Sequence, residues 1–399
     1  MARLVGTVSR GIRTPIIREG DDIIRIVTES VLQASEDPDW GFKFRDRDIL
    51  CMTEAIVARA QGNYASVDNI AADVKKKTGG ETVGVVFPIL SRNRFAICLR
   101  GIARGVSKVV LQLSYPADEV GNHLIEDDVL DSVDIDPYRD VLDLKRYREL
   151  FGYKVHRFTG VDYVDYYKKL IEEEGAECEI IFANDPREIL SHTKTVLACD
   201  IHTLWHTKKL LVSGGAECVL GLDEIMNAPV DGSGYNASYG LLGSNKATEE
   251  TVKLFPRDAQ EIVDAIQKTI LEKTGKHIEV MVYGDGGFKD PMGGIWEFAD
   301  PVVAPFFTEG LKGTPNELKI KYLADNDFGS LEGEALREAI RSEIEKKDAD
   351  LVGKMASEGT TPRQLTDLIG SLSDLTSGSG DKGTPVVYIQ GYFDNYSTD

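Results

Sequence analysis

Between residues 82 and 222, five short and almost wholly apolar runs (83–90, 108–114, 178–183, 195–201 and 217–222) alternate with helical patterns. Few folds accept such a chain. A strand that is apolar along its whole length must be covered on both faces, and strands of this kind separated by helices build a mostly parallel sheet with helices on either side. The helical pattern at 161–174 stops at Gly175, and Asp185-Pro186 opens another start, a capping carboxylate followed by proline at the first helical position. A third pattern runs from about Thr203 to Ser213 and ends at Gly214-Gly215. The stretch 115–152 between them is acidic and turn-rich and reads as a surface excursion. A doubly wound, mostly parallel sheet is therefore expected within 83–232.

The flanks follow a different rhythm. Asp21-Asp22 precede a helical apolar face of Ile23, Ile24, Ile26, Val27 and Val31, and Asp48 opens the buried-looking strand Ile49-Leu50-Cys51-Met52. Ser66 caps a polar helix that ends in Lys75-Lys76-Lys77 before Gly79-Gly80. Beyond a loop at 231–245 come a helix at 257–272, a strand at 278–283, helices near 331–346 and 361–375, and a strand at 386–390. A chain of 399 residues is long for one core. The expected architecture is α/β: an α+β host formed by 1–82 and 233–399, carrying the doubly wound unit 83–232 as an insertion.

Charge narrows the function. A formal net charge of −20 disfavours nucleic acid and anionic membranes as partners, since both require a basic face. No run approaches the ~18 apolar residues of a membrane span, and MARLVGTVSRGIRTPII has no apolar core of a secretory signal. The five cysteines are scattered without CxxC or metal-type spacing, as expected of reduced thiols in a cytoplasmic protein. Small anionic substrates remain possible wherever arginines cluster.

Four constellations could carry chemistry. Tyr283-Gly284-Asp285-Gly286-Gly287 follows an apolar strand; a carboxylate on a glycine-flanked turn there can reach a phosphate-bound metal, or be an ordinary solvated turn residue. Ser377-Gly378-Ser379-Gly380-Asp381-Lys382-Gly383 follows a helix and enters a strand, the reverse of a dinucleotide fingerprint. Its backbone N–H groups can cradle phosphates, or it can be a linker. Asp200, His202 and His206 have metal-ligand chemistry, but surface or core side chains account for them more simply. Ser91-Arg92-Asn93-Arg94, with Arg100, Arg104 and Lys108 following, places guanidinium forks at a strand-to-helix turn, where carboxylate or phosphate can bind.

The segments GIRTPIIREGDDI and DRDILCMTEAIVARAQG, then Gly240-Leu241-Leu242-Gly243-Ser244-Asn245, Val282–Phe288 and 362–391, together resemble the coenzyme F-420 gamma-glutamyl ligases. The resemblance is distributed over about 1–80 and 236–391. It implies GTP-dependent joining of L-glutamate to a small anionic acceptor through an acyl phosphate, with Mg2+ or Mn2+, in a homodimer. Carried over residue by residue, it implies nucleotide contacts at Pro15, Ile16, Ile17, Arg18, Arg59 (a lysine in the family) and Asn245, and a closing loop containing Ser377, Gly378, Gly380 and Gly383. It implies a metal ligand at Asp285. Arg92, Arg94 and Lys289 are the substrate-binding candidates. The chain departs from the family at Leu242, which stands at the position of a second metal aspartate, at Gly286 in place of threonine, and at Met292 in place of arginine. Asp290, Asp325 and Asp327 are the carboxylates nearest in sequence to complete a metal site. Two alternatives stay open: a glutamate ligase acting on folate or another cofactor tail, and a non-catalytic nucleotide- or metabolite-binding homologue.

Overall fold

Alternation within single strands fixes the first sheet. In Ile49–Thr53 (β2), Leu50 and Met52 face one core while Ile49 and Cys51 face another. Glu279–Tyr283 (β12) and Val386–Gln390 (β16) divide in the same way, with Val280, Val282, Val386 and Tyr388 on the first side and Met281, Tyr283, Val387 and Ile389 on the second. This period of two lets helices cover both faces. Ile23–Ser35 (α1) and the helix Gln260–Thr274 lie over one side, and the helix Leu365–Ser377 lies over the other. The strand order is β1-β16-β2-β12-β15, where β1 is Val8–Ile12 and β15 is Phe306–Phe307. Only β2 and β12 run parallel. The computed structural model describes residues 4–290, 294–297, 299–360, 363–377 and 381–398.

The second sheet has the expected mostly parallel form. Thr82–Val86 (β4), Lys108–Leu113 (β5), Glu177–Phe182 (β7), Thr195–Ala198 (β8) and Cys218–Gly221 (β9) are all parallel, in the order β7-β5-β4-β8-β9. The winding direction reverses between β4 and β8. The segment 115–152 is more than a surface excursion. Leu142–Asp143 (β6) adds an antiparallel edge to β7, and Tyr147 stacks on Phe182 at 3.9 Å. Its apolar residues, interleaved with acidic ones, keep to no steady period, yet Tyr115, Leu124, Ile125, Tyr147 and Phe151 are buried.

The core over this sheet draws on residues outside 83–232. Val67–Thr78 (α3), capped by Ser66 and Asn69 in a reciprocal pair, buries Ile70 and Val74 there, as do Leu241, Leu242, Val252 and Leu254. Its partner is Phe95–Arg104 (α4). Gly101 permits the approach: a Cβ on it would lie 2.5 Å from Cγ2 of Ile70. The two sheets are thus joined through α3, Tyr64–Ser66 (β3) and the hairpin Asn245–Lys246 (β10) with Thr251–Lys253 (β11), which pairs with β3.

Candidate functional site

The parallel pairing of β2 and β12 aligns Thr53 with Tyr283, so the residues that follow emerge side by side at the carboxyl ends of adjacent strands. From β2 comes Glu54, the first residue of Glu54–Ala60 (α2), and from β12 comes Asp285. The β4–α4 turn of the other sheet brings Arg94 between them. One Nη donates to Asp285 Oδ2 at 2.5 Å and the other to Asp300 Oδ1 at 2.6 Å, while Asp300 Oδ2 accepts the Asp285 backbone N–H at 2.6 Å. Lys253 of β11 meets both oxygens of Glu54 at 2.6 and 2.7 Å. Asp374, on the last helix, accepts the Gly286 N–H at 3.0 Å.

These carboxylates stand in each other's field. Burial, reinforced by Asp300, pushes the Asp285 carboxyl up to about 7 while Arg94 pulls it down. Burial also raises Glu54, against the attraction of Lys253, and raises Asp374. Burial disfavours charge on Arg94, but Asp300, Asp285 and Glu54 more than offset it and lift its pKa above the ordinary value. The result is a fixed cation bonded to two carboxylates.

Two clefts meet at this point. One, of about 720 Å³, is lined by Glu54, Arg59, Tyr64, Lys246, Thr248 and Lys253. The other, of about 680 Å³, is lined by Arg92, Asn122, His156, Phe158, Tyr163 and Trp296. Arg94, Asn245 and Asp285 border both. The turn carrying Arg92 and Arg94 is held from two sides. Tyr167 donates its hydroxyl to Ile89 O at 2.7 Å and accepts the Ser91 N–H at 2.8 Å. Asp118, its carboxyl raised by burial, accepts the Leu90 N–H at 2.7 Å.

Of the residues singled out in the sequence, Arg59, Arg92, Arg94, Asn245 and Asp285 come together. Pro15 to Arg18 do not line these clefts. Pro15 borders a separate groove with Arg10, Arg13, Trp40 and Thr384, Ile16 is exposed, and Ile17 packs into the host core. Just beyond that segment, the Gly20 N–H donates to Ala60 O, next to Arg59. Lys289 is exposed on the short strand Phe288–Lys289, with its Nζ 5.8 Å from the Trp296 ring. Ser377 is buried and its carbonyl accepts from the Thr384 hydroxyl at 2.7 Å; Gly383 is turned to positive φ. Gly378, Gly380 and Met292 lie outside the described residues.

Two expectations need correction. Arg100 and Arg104 do not add to an anion site: they bond Glu174 and Glu250, and Lys108 bonds Glu177 and Glu179. Asp325 and Asp327 are exposed on the helical turn Leu323–Asp327 and line neither cleft. The carboxylates beside Asp285 are instead Asp300, Asp374 and Glu54; Asp290 borders the second cleft. Asp200 spends one oxygen on the hydroxyls of Thr203 and Thr207, at 2.6 and 2.7 Å, which fixes the start of the helix Leu204–Ser213. Glu54 was readable as an acid at a strand-to-helix junction, and Lys253 as a charge between buried Val252 and Leu254. Asp300, in an irregular segment, carries no local signal.

As a cage for metal the site does not fit. Among the described residues no group of three or more His, Cys, Asp or Glu is placed to hold one ion. Arg94 is bonded to both Asp285 and Asp300, and Leu242 lies among Ile89, Phe95, Cys98, Cys199 and Leu222. A family model described as F420-0:Gamma-glutamyl ligase matches residues 11–391, a span that includes the second sheet. No match was found among curated proteins.

Proposed function

Because the chain belongs to the F420-0:gamma-glutamyl ligase family and is therefore an amino-acid ligase, we propose that it uses GTP to join L-glutamate to the carboxylate of a small anionic acceptor. The observation that carries this reading is the meeting of two clefts at Arg94, Asn245 and Asp285. A ligase of this kind must hold a nucleotide and an acceptor so that the γ-phosphate and one carboxylate touch. The cleft with Arg59, Asn245 and Lys246 is assigned to the nucleotide, and the cleft with Arg92 and the aromatic side chains to the acceptor.

In the proposed reaction an acceptor carboxylate oxygen attacks the γ-phosphorus and the bond to GDP breaks, leaving an acyl phosphate. The glutamate amine then attacks the acyl carbon, phosphate departs with the electrons of the C–O bond, and the amine gives up a proton. Arg94 supplies charge where the phosphate and the carboxylate must approach, and Arg92 offers a fork for the acceptor's anionic group. Mg2+ or Mn2+ arriving on the nucleotide phosphates would screen their charge, with Asp285 as its protein ligand. No helix among the described residues is long and apolar enough to cross a membrane. All five cysteines are free thiols, which supports a cytoplasmic location. A homodimer is proposed on the family resemblance.

Incubation with L-glutamate, Mg2+ and either GTP or ATP, with coenzyme F420-0 or a folate as acceptor, tests the reading by mass spectrometry. The expected result is GDP, phosphate and an acceptor heavier by one glutamyl unit, with GTP preferred. Product from the folate alone assigns the cofactor-tail alternative. Nucleotide binding without product from any combination supports the non-catalytic one.

A further inference from the structure

Neutralisation at the bottom of the two clefts is achieved by side chains. Glu54 is paired with Lys253, and Asp285 and Asp300 are bonded to the two Nη atoms of one guanidinium. The Arg94 side chain is 16% exposed and that of Asp300 is 1% exposed, so this ion pair is part of the packed interior and not a surface contact. Its backbone is anchored too: the Arg94 N–H donates to Ser91 Oγ at 3.2 Å, and its carbonyl faces Cys98 Sγ at 3.5 Å. Beside it, Leu242 closes an apolar pocket that the Arg94 side chain also lines. A divalent ion bridging Asp285 and Asp300 would need the same oxygens that Arg94 holds.

We propose that Arg94 is the resident cation of this site, occupying the place of a second divalent ion, so that the protein works with no more than one exchangeable metal, brought in on its nucleotide. A guanidinium differs from an ion in three ways that matter. It cannot dissociate, it carries one charge and not two, and it offers planar paired N–H donors suited to carboxylate or phosphate. The residue comes from the turn after β4, so the second sheet supplies the charge on which the host strands' carboxylates depend.

Manganese titration followed by calorimetry tests the idea in two arms, of which only the second rests on the nucleotide reading. Without nucleotide, wild type should hold no Mn2+ in the range below about 100 μM that a dedicated carboxylate cage reaches. R94Q, which frees both carboxylates, should bind at least ~10-fold more tightly, and R94Q/D285N should lose that gain. With a saturating non-hydrolysable GTP analogue, wild type should take up one Mn2+ per chain. A tight site in nucleotide-free wild type, two ions per chain with the analogue, or equal affinity in wild type and a folded R94Q overturns the proposal. If R94Q does not fold, the nucleotide-free wild-type arm decides. If the analogue does not bind, the GTP reading falls, and that same arm still decides the role of Arg94.

Discussion

Lys253 and Glu54 have side chains only 7% and 5% exposed, and at such burial losing one partner is costlier than losing both. K253M should destabilise the protein by about 3–5 kcal/mol, and K253M/E54Q by distinctly less, as read from urea denaturation. Equal loss in the two variants means the pair is not electrostatically coupled. Arg92, exposed and lining the cleft proposed for the acceptor, is the cleaner probe of that proposal. R92A should weaken acceptor binding by about 1.5–3 kcal/mol, the worth of a charge-assisted hydrogen bond, and leave GTP affinity unchanged; an unaltered acceptor KM removes it from the site. Asp285→Asn keeps the shape but not the charge. Calorimetric titration of GTP with Mn2+ should show a sharp fall in affinity without loss of fold, and unchanged affinity in that variant would end the metal role of Asp285. These residues were legible in unequal measure. Asp285 and Arg94 could be found because each follows an apolar strand, where α/β folds place ligands. That the two bond each other could not, because their proximity depends on how two sheets are joined.

Elements with strong periodicity were visible in the chain, and those built by tertiary contact were not. The five parallel strands lie on the apolar runs to within one residue at their starts, and β16 occupies its expected residues; Pro186–Ser191, read as a helix start, is a 3-10 turn. The edge strand β6 was invisible because two residues have no pattern. The packing of α3 on the second sheet was hidden as well, since its apolar face reads the same whichever core receives it. Gly101 at that contact gives a test with opposed expectations. Glycine to a β-branched residue within a helix would ordinarily be neutral or helpful to helix propensity. Here the added atoms meet Ile70, so G101V should cost about 1–3 kcal/mol in chemical denaturation. A stabilised G101V would show that α3 and α4 are not closely packed.

At the scale of the whole molecule the dominant quantity is charge. A formal net charge of −20 is accompanied by carboxyls raised by burial at Asp118, Asp200 and Asp285, the last to about 7. Each keeps its proton in the folded state at a pH where the unfolded chain has released it. Folding therefore takes up protons, and the contribution is present at low pH and lost as pH rises from the unfolded value near 4 through the folded one. Glu179, Asp185 and Glu250, held low by their cations, act in the opposite sense as pH falls below about 4.5, and His156, lowered by burial, offsets part of the fall as pH rises through the ordinary imidazole range. The thermal midpoint at constant ionic strength should accordingly fall by a few degrees between pH 5.5 and 8, at about 2–4 °C per kcal/mol. A midpoint that rises over this range contradicts the assignment.

The position of β16 between β1 and β2 governs the order in which the molecule can be made. On the ribosome β1 and β2 leave the exit tunnel early, but the strand that pairs with both of them comes from residues 386–390. The second sheet has all its strands between residues 82 and 221, so it can collapse while synthesis continues. Of the host strands, β2 can pair with β12 once residues 279–283 have emerged, but β1 waits for its partner β16, and β2 keeps one edge open, until nearly the whole chain has been translated. A nascent chain stalled before residue 386 should therefore protect the second sheet from limited proteolysis while β1 stays open to cleavage, and during that interval β1 and the open edge of β2 are what a chaperone would hold.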